Sequence, residues 1–360
     1  MDFFVQADGY EITIAEGASR SLAAYLAKKK DVTGIFVLTD TNTRSGCLPV
    51  LMSSVPELED ASILEVRPGE NAKSLEAVAL LALRMIELGA DRNSLLISLG
   101  GGVVGDLGGF LASILFRGIR FVQLPTSLLA MVDASVGGKT GVNLDHLKNC
   151  IGTFSLPEAV FIDTDFLKTL PELQLRSGLA EIIKHSIVGN VPPFEDLPVA
   201  GDLRTVDWLP YIVSSVSFKN EIVGSDFRDT RQRKVLNFGH TIGHALEGIS
   251  LAESERPLLH GEAIALGMEV ELLLSTRFSG LPLATAKRMM TYIRSHFPEL
   301  MPVPFSSRLL PYLLADKKNR NGSILCVLLG PEGNPVIDVP VSPDDIRQAM
   351  DSLSSVFITG

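Results

Sequence analysis

Short apolar runs closed by polar turns fill the first half of the chain, and long helical periodicities fill the second. Residues 34–39, 94–99, 120–125 and 159–163 each read as a strand of about four to eight residues. Between the first two, apolar positions recur at helical spacing over residues 73–88. Strands alternating with helices imply βαβ units and a parallel sheet. Beyond about residue 170, amphipathic helices are predicted over 174–188, 209–224, 240–249, 261–278 and 284–297. One late strand, 324–329, follows a turn at 319–322. The pattern predicts an α/β domain over residues 1–168 and a mainly α-helical domain over 169–360.

Composition narrows the class. The chain has 360 residues, 46% of them hydrophobic, and a formal net charge of −10. A mean hydropathy of +0.26 and a pI near 5.2 describe a well-packed globular protein. Bulk charge of this sign disfavours nucleic-acid and anionic-membrane partners. The apolar stretch 108–136 is broken by Arg117, Arg120, Gln123 and Asp133, so it does not read as a membrane span. Cys47, Cys150 and Cys326 are odd in number and widely spaced, which fits a reducing compartment, and the N-terminus lacks the pattern of a signal peptide. A cytoplasmic protein is expected.

The candidate chemistry lies in glycine-, lysine- and histidine-bearing segments. Gly100-Gly101-Gly102-Val103-Val104-Gly105-Asp106 follows a strand and precedes a helix, as in a Rossmann-like turn. Such a turn lets a pyrophosphate approach the backbone at a helix N-terminus. The acid expected about twenty residues later is missing, so the match is weak alone. Asp40 and Asn42, after an earlier strand, are candidates for ribose contacts. Lys139 stands among small residues in Gly137-Gly138-Lys139-Thr140-Gly141, suited to an anionic ligand but lacking the spacing of a Walker A loop. Glu181 and Lys184 share a helix face, as do His240 and His244, and His260 follows. Two imidazoles and a carboxylate are the donors of a catalytic zinc-type site. Spacing leaves rivals open: His185 is four residues from Glu181, and His244 competes with His240.

Taken together, these segments carry a resemblance. The chain resembles the 3-dehydroquinate synthase family of sugar-phosphate cyclases in Gly69-Glu70-Asn71-Ala72-Lys73, in residues 100–106, in Leu124-Pro125-Thr126-Ser127 and in residues 132–143. It continues through Lys148-Asn149, residues 180–184, residues 233–244, residues 259–263 and Asp316-Lys317-Lys318, in family order.

The resemblance implies a dehydroquinate synthase-like fold, bound NAD and a divalent metal, zinc or cobalt. By that similarity the metal ligands are Glu181, His240 and His260, and His244 serves proton transfer. Matching NAD contacts are Asp40, Asn42, Glu70, Lys73, Gly101, Gly102, Asp106, Thr126, Ser127 and Lys148. Matching substrate contacts are Arg117, Asp133, Lys139, Asn149, Lys184, Lys219, Arg233, Asn237, His244 and one or both of Lys317 and Lys318. Of these, Lys139, Lys184, Lys219, Arg233, Asn237 and His244 are the expected catalytic group. The implied substrate is a sugar-phosphate keto acid whose two anionic groups explain the lysines and arginines. A homodimer is implied as well. Three departures stand out: Leu173-Gln174 replace Arg-Glu, Asp229 replaces glutamate, and Arg231 replaces glycine. Rival readings are a sister cyclase acting on another sugar phosphate, and a metal-dependent polyol dehydrogenase.

Overall fold

A computed structural model describes residues 2–144, 147–301, 303, 305–314 and 323–356. The chain forms two compact units: residues 1–175 with 207–224, and residues 176–206 with 225–360. Residues 207–224, which the sequence pattern groups with the helical domain, thus cluster with the sheet.

The first unit is built on a seven-stranded sheet. Its strands are β1 (Phe3–Ala7), β2 (Tyr10–Ala15), β3 (Ile35–Asp40), β4 (Ser62–Val66), β5 (Leu95–Gly100), β6 (Arg120–Pro125) and β9 (Ala159–Asp163). They lie in the order β1-β2-β9-β6-β5-β3-β4. Only β1 runs antiparallel to its neighbour; the other pairings are parallel. The four strands expected from apolar runs are β3, β5, β6 and β9. Every residue of β5 is buried, as a central parallel strand covered on both faces requires.

Helices α1 (Ser19–Ala27), α2 (Thr41–Gly46), α3 (Leu48–Ser54), α4 (Leu75–Glu87) and α5 (Gly102–Ile114) connect these strands. The core includes Phe36, Leu38, Leu64, Leu96, Val104, Leu107, Leu111 and Phe121. Burial of each large side chain there contributes about 1.5–3 kcal/mol. Helix α5 lies unusually close to its neighbours. A Cβ on Gly108 would stand 2.2 Å from Ser98 Oγ, and one on Gly109 would stand 2.4 Å from Thr140 Cγ2. An antiparallel hairpin, β7 (Lys139–Leu144) with β8 (Leu147–Phe154), packs on α5.

Helix α6 (Glu172–Gly189) leads into the second unit, while α7 (Leu209–Ser225) belongs mainly to the first. The second unit contains α8 (His240–Glu253), α9 (His260–Phe278), α10 (Leu283–His296), α11 (Leu310–Leu314), the hairpin β10 (Ile324–Leu329) with β11 (Pro335–Val341), and α12 (Pro343–Val356). Helix α9 is its axis, with a nearly unbroken run of buried residues from Ala263 to Ser275. The run takes in the buried carboxylates Glu269 and Glu271, so the helix is covered on all sides rather than along one apolar stripe. Among the described residues, no helix is long and apolar enough to cross a membrane.

Candidate metal and cofactor sites

Three helices of the second unit bring Glu181, His240 and His260 together. Each offers a donor atom, and the three atoms lie within 4.8 Å of one another. Glu181 is on α6, while His240 and His260 open α8 and α9. The ends of those helices are held by specific contacts. Gly239 adopts a left-handed φ of +78° just before His240, and its N–H donates to the buried Glu271 Oε2 at 2.7 Å. At the start of α9, Glu262 Oε2 accepts the Leu259 N–H at 2.8 Å, satisfying a helix-terminal donor.

Glycine sets how closely these helices meet. A Cβ on Gly261 would lie 2.2 Å from the Ser177 carbonyl oxygen, one helical face from Glu181, and the Gly261 N–H donates to Ser177 Oγ at 2.9 Å. A Cβ on Gly267 would lie 1.9 Å from the Gly239 carbonyl oxygen. Larger residues would therefore separate the backbones that carry the three donors.

The local electrostatics suit a cation. Glu181 Oε1 stands 3.6 Å from His240 Nε2 and 3.4 Å from His260 Nε2, and Lys184 pairs with Oε2. Apart from that ammonium contact, both fully buried Glu181 oxygens lack a hydrogen-bond partner of ordinary geometry. Burial alone would raise the Glu181 pKa, but Lys184, then His240 and His260, hold it well below the usual carboxylate range. Burial, reinforced by Lys184, keeps His240 neutral. Its Nδ1 faces the Phe238 carbonyl oxygen at 3.1 Å, which leaves Nε2 for coordination. Burial opposes charge on His260 too, yet the Glu247 and Glu181 carboxylates raise its pKa to about 10. A buried carboxylate whose Oε1 faces two imidazole nitrogens fits a zinc- or cobalt-type ion.

The neighbouring groups are arranged around this cluster. The His244 ring centroid is 5.0 Å from that of His240 and 5.9 Å from that of His260, and the residue is exposed. His185 is fully buried on α6. Asn237 ends the turn Gln232–Asn237 that precedes α8. Arg233 in that turn is buried and donates to the Phe227 carbonyl oxygen at 2.7 Å. Asp226 organises the same segment, accepting N–H groups from Thr230, Arg231 and Arg233 at 3.1, 2.6 and 3.2 Å. Asp229 is left-handed, with φ +57°.

The first unit gathers most of the NAD-matching positions around the β5–α5 turn. Gly101 caps α5, and the Thr126 N–H after β6 donates to the Gly100 carbonyl at 3.0 Å. Ser127 Oγ accepts the Ala130 N–H at 3.3 Å. Lys73, almost fully buried, donates to Asp106 Oδ2 at 2.6 Å and also to Asn149 Oδ1. Burial pushes the Asp106 carboxyl upward against the opposing pull of Lys73. Asn143 Nδ2 donates to Glu70 Oε1 at 2.9 Å. Asp40 ends β3 and caps α2, accepting the Thr43 N–H at 2.8 Å, with exposed Asn42 in the first turn.

The substrate-matching positions of this unit are more dispersed. Lys219 on α7 donates to the Asp133 carbonyl oxygen at 2.5 Å and to Asp133 Oδ1 at 2.7 Å. Lys139 is exposed after left-handed Gly137 and Gly138, and Lys148 is half-buried on β8. Arg117 is not gathered with the glycine turn. It follows the far end of α5, roughly 20 Å away by helical rise. It is exposed there, and its φ of +69° follows Phe116 at +52°. Lys317 and Lys318, like His146, lie outside the described residues.

Sequence reading missed several supporting residues: Ser177, Asp226, Glu247, Glu271 and the amide of Asn143. Glu271 and Asn143 have partners far along the chain, Gly239 and Glu70, which no local pattern marks; Asp226 is bonded to residues four to seven places on, without a motif of its own.

Comparison with known proteins decides the family. Residues 63–177 match the family described as 3-dehydroquinate synthase N-terminal, and residues 178–319 match its C-terminal counterpart. The chain belongs to the 3-dehydroquinate synthase family. It is 40% identical over 338 residues to the 3-dehydroquinate synthase of Leptospira interrogans, covering 91% of each chain. Among solved structures it is similar to a 2-deoxy-scyllo-inosose synthase complexed with carbaglucose-6-phosphate, NAD+ and Co2+. That match has a TM-score of 0.85 and 25% identity, covering 97% of this chain and 99% of the other. Another is the 2-epi-5-epi-valiolone synthase of Streptomyces hygroscopicus with NAD+ and Zn2+ bound, with a TM-score of 0.80, 27% identity and 98% coverage of each chain.

Proposed function

We propose that this member of the 3-dehydroquinate synthase family converts 3-deoxy-D-arabino-heptulosonate 7-phosphate to 3-dehydroquinate and inorganic phosphate. It would use NAD and a divalent metal without net redox change. The carrying observation is the convergence of Glu181, His240 and His260 within 4.8 Å beside Lys184, in a chain of this family. When bound, the metal and NAD supply Lewis acidity and reversible hydride acceptance.

The residues take roles their surroundings support. Glu181, His240 and His260 hold the metal. Lys184, fixed by Glu181, places a positive charge where negative charge develops. The Asp226-anchored turn presents Arg233, whose guanidinium suits phosphate, and Asn237. Exposed His244 moves protons. In the first unit, the glycine turn at Gly101 and Gly102 offers the N-terminus of α5 to a pyrophosphate. Asp40, Asn42, Glu70, Lys73, Asp106, Thr126, Ser127 and Lys148 would hold the rest of NAD. Lys139, Asn149, Asp133 and Lys219 contact substrate, and Lys317 and Lys318 are assigned to it by resemblance. In this reading the first unit binds NAD and supplies part of the substrate contacts, and the second holds the metal and the remaining substrate contacts.

In this reading the protein is cytoplasmic and a homodimer. The position of Arg117, one helix length from the glycine turn, suits a contact supplied by a second copy.

Phosphate release from 3-deoxy-D-arabino-heptulosonate 7-phosphate, measured with NAD and Zn2+ or Co2+, tests the assignment. The expected result is phosphate without accumulating NADH. Steady growth of NADH absorbance would indicate a dehydrogenase instead. Release only from a sedoheptulose or hexose phosphate would indicate a sister cyclase.

A further inference from the structure

We propose that Asn143 is a positioning residue that couples cofactor binding to substrate binding in the first unit. The inference rests on the assignment above of Glu70, Lys73 and Asp106 to NAD and of Asn149 to substrate. Asn143 itself has no role in that assignment. It lies near the end of β7, half-buried, and both ends of its carboxamide are engaged. Nδ2 donates to Glu70 Oε1 at 2.9 Å, while Oδ1 accepts the Asn149 N–H at 2.8 Å. Its backbone N–H donates to the Lys73 carbonyl oxygen at 2.9 Å.

These bonds close a ring. Lys73 donates its ammonium to Asn149 Oδ1, so Asn143, Asn149 and Lys73 each hold the other two. Glu70 and Asp106 are the outer arms, bonded to Asn143 and Lys73. Asn149 sits in the left-handed region, with φ +51°, a conformation that asparagine adopts only at some cost. The bond from its N–H to Asn143 offsets that cost. A carboxamide is rigid and planar, so turning one end to follow Glu70 turns the other end against Asn149. Cofactor contact at Glu70 and Lys73 therefore sets the orientation in which Asn149 is offered to substrate. By linkage, substrate must affect cofactor affinity by the same factor.

NADH provides the test, because the reduced cofactor cannot oxidise the substrate and the ternary complex stays intact. NADH affinity is read by fluorescence titration with and without 3-deoxy-D-arabino-heptulosonate 7-phosphate on the full chain. In the wild type, substrate should tighten NADH about tenfold. Asn143→Leu should bring that factor close to one while NADH alone still binds. Asn143→Asp keeps the acceptor for Asn149 but faces Glu70 with a like charge, and should also lose the coupling. Adding Glu70→Gln to Asn143→Asp reverses donor and acceptor across the same bond. It should restore the factor to within about threefold of wild type.

Retention of the full factor in Asn143→Leu overturns the proposal, as does a wild type that binds both ligands independently. Should Asn143→Leu fail to fold, loss in Asn143→Asp and its rescue by Glu70→Gln carry the test alone. A wild type that binds neither ligand instead removes the underlying assignment together with the coupling.

Discussion

The two units hold their candidate residues by different means. In the second, the donors are fixed by backbone: Gly261 against Ser177 and Gly267 against Gly239 set helix spacing at distances no side chain allows. In the first, they are fixed by a side-chain network, in which Lys73, Asp106, Asn143 and Asn149 orient one another. Close-packed backbone tolerates no adjustment. A hydrogen-bonded network can be broken and rebuilt by exchanging donors and acceptors. The contrast matches the tasks proposed for them: coordination needs a fixed geometry, whereas a large cofactor can be followed by movable polar groups.

The largest effect should come from His260→Ala. Loss of bound metal, assayed by elemental analysis, should accompany a fall in phosphate release of roughly a thousandfold or more. Retained metal and near-normal turnover would take His260 out of the ligand set.

Gly261→Ala asks whether helix spacing matters as much as ligand chemistry. The new methyl would meet the Ser177 carbonyl, so stability should fall by about 1–3 kcal/mol or more in denaturant titrations, with weakened metal binding. Full metal affinity in this variant would dissolve the contrast between the units. Lys73→Met tests the other side. It strands Asp106 in a largely buried site and should cost about 2 kcal/mol, with NADH bound about tenfold more weakly.

A smaller effect is expected from Asp226→Asn. Burial would raise the Asp226 pKa, but the N–H groups of Thr230, Arg231 and Arg233 hold it below its ordinary value. A depressed folded pKa contributes stability that is fully present above the unfolded value near 3.9 and disappears as pH falls through the folded value. Wild type should therefore exceed the variant by about 1 kcal/mol at neutral pH. Their unfolding midpoints should converge under strongly acid conditions; a constant gap down to the acid limit would contradict this account. Gly224→Ala, where a Cβ meets nothing within 4 Å, should change stability by no more than about 0.5 kcal/mol.

The sequence made the repetitive parts of the fold legible. Apolar runs marked β3, β5, β6 and β9, and helical periodicity marked α4 and α6 to α10, because each pattern repeats within one element. The β7–β8 hairpin was not legible, since its glycines and polar residues read as a ligand-binding loop. Strand β4 and the β1–β2 hairpin also went unread; the burial of β1 and β4 is partial. At the metal cluster, helical spacing put His240 and His244 on one face and could not choose between them. What distinguishes them is how α8 meets α6 and α9, with His240 buried and His244 exposed. The resemblance named a ligand set, but the close glycines that support it lie in tertiary contacts far from any motif.

Helix α7 is counted with the sheet although residues 176–206 before it belong to the other unit. On the ribosome, the sheet unit therefore stays unfinished until residue 224 has emerged, and Asp133 waits for Lys219 across a stretch of chain destined for its neighbour. Order of synthesis and order of assembly diverge in this protein, and expressing either unit as an uninterrupted fragment would leave part of it behind.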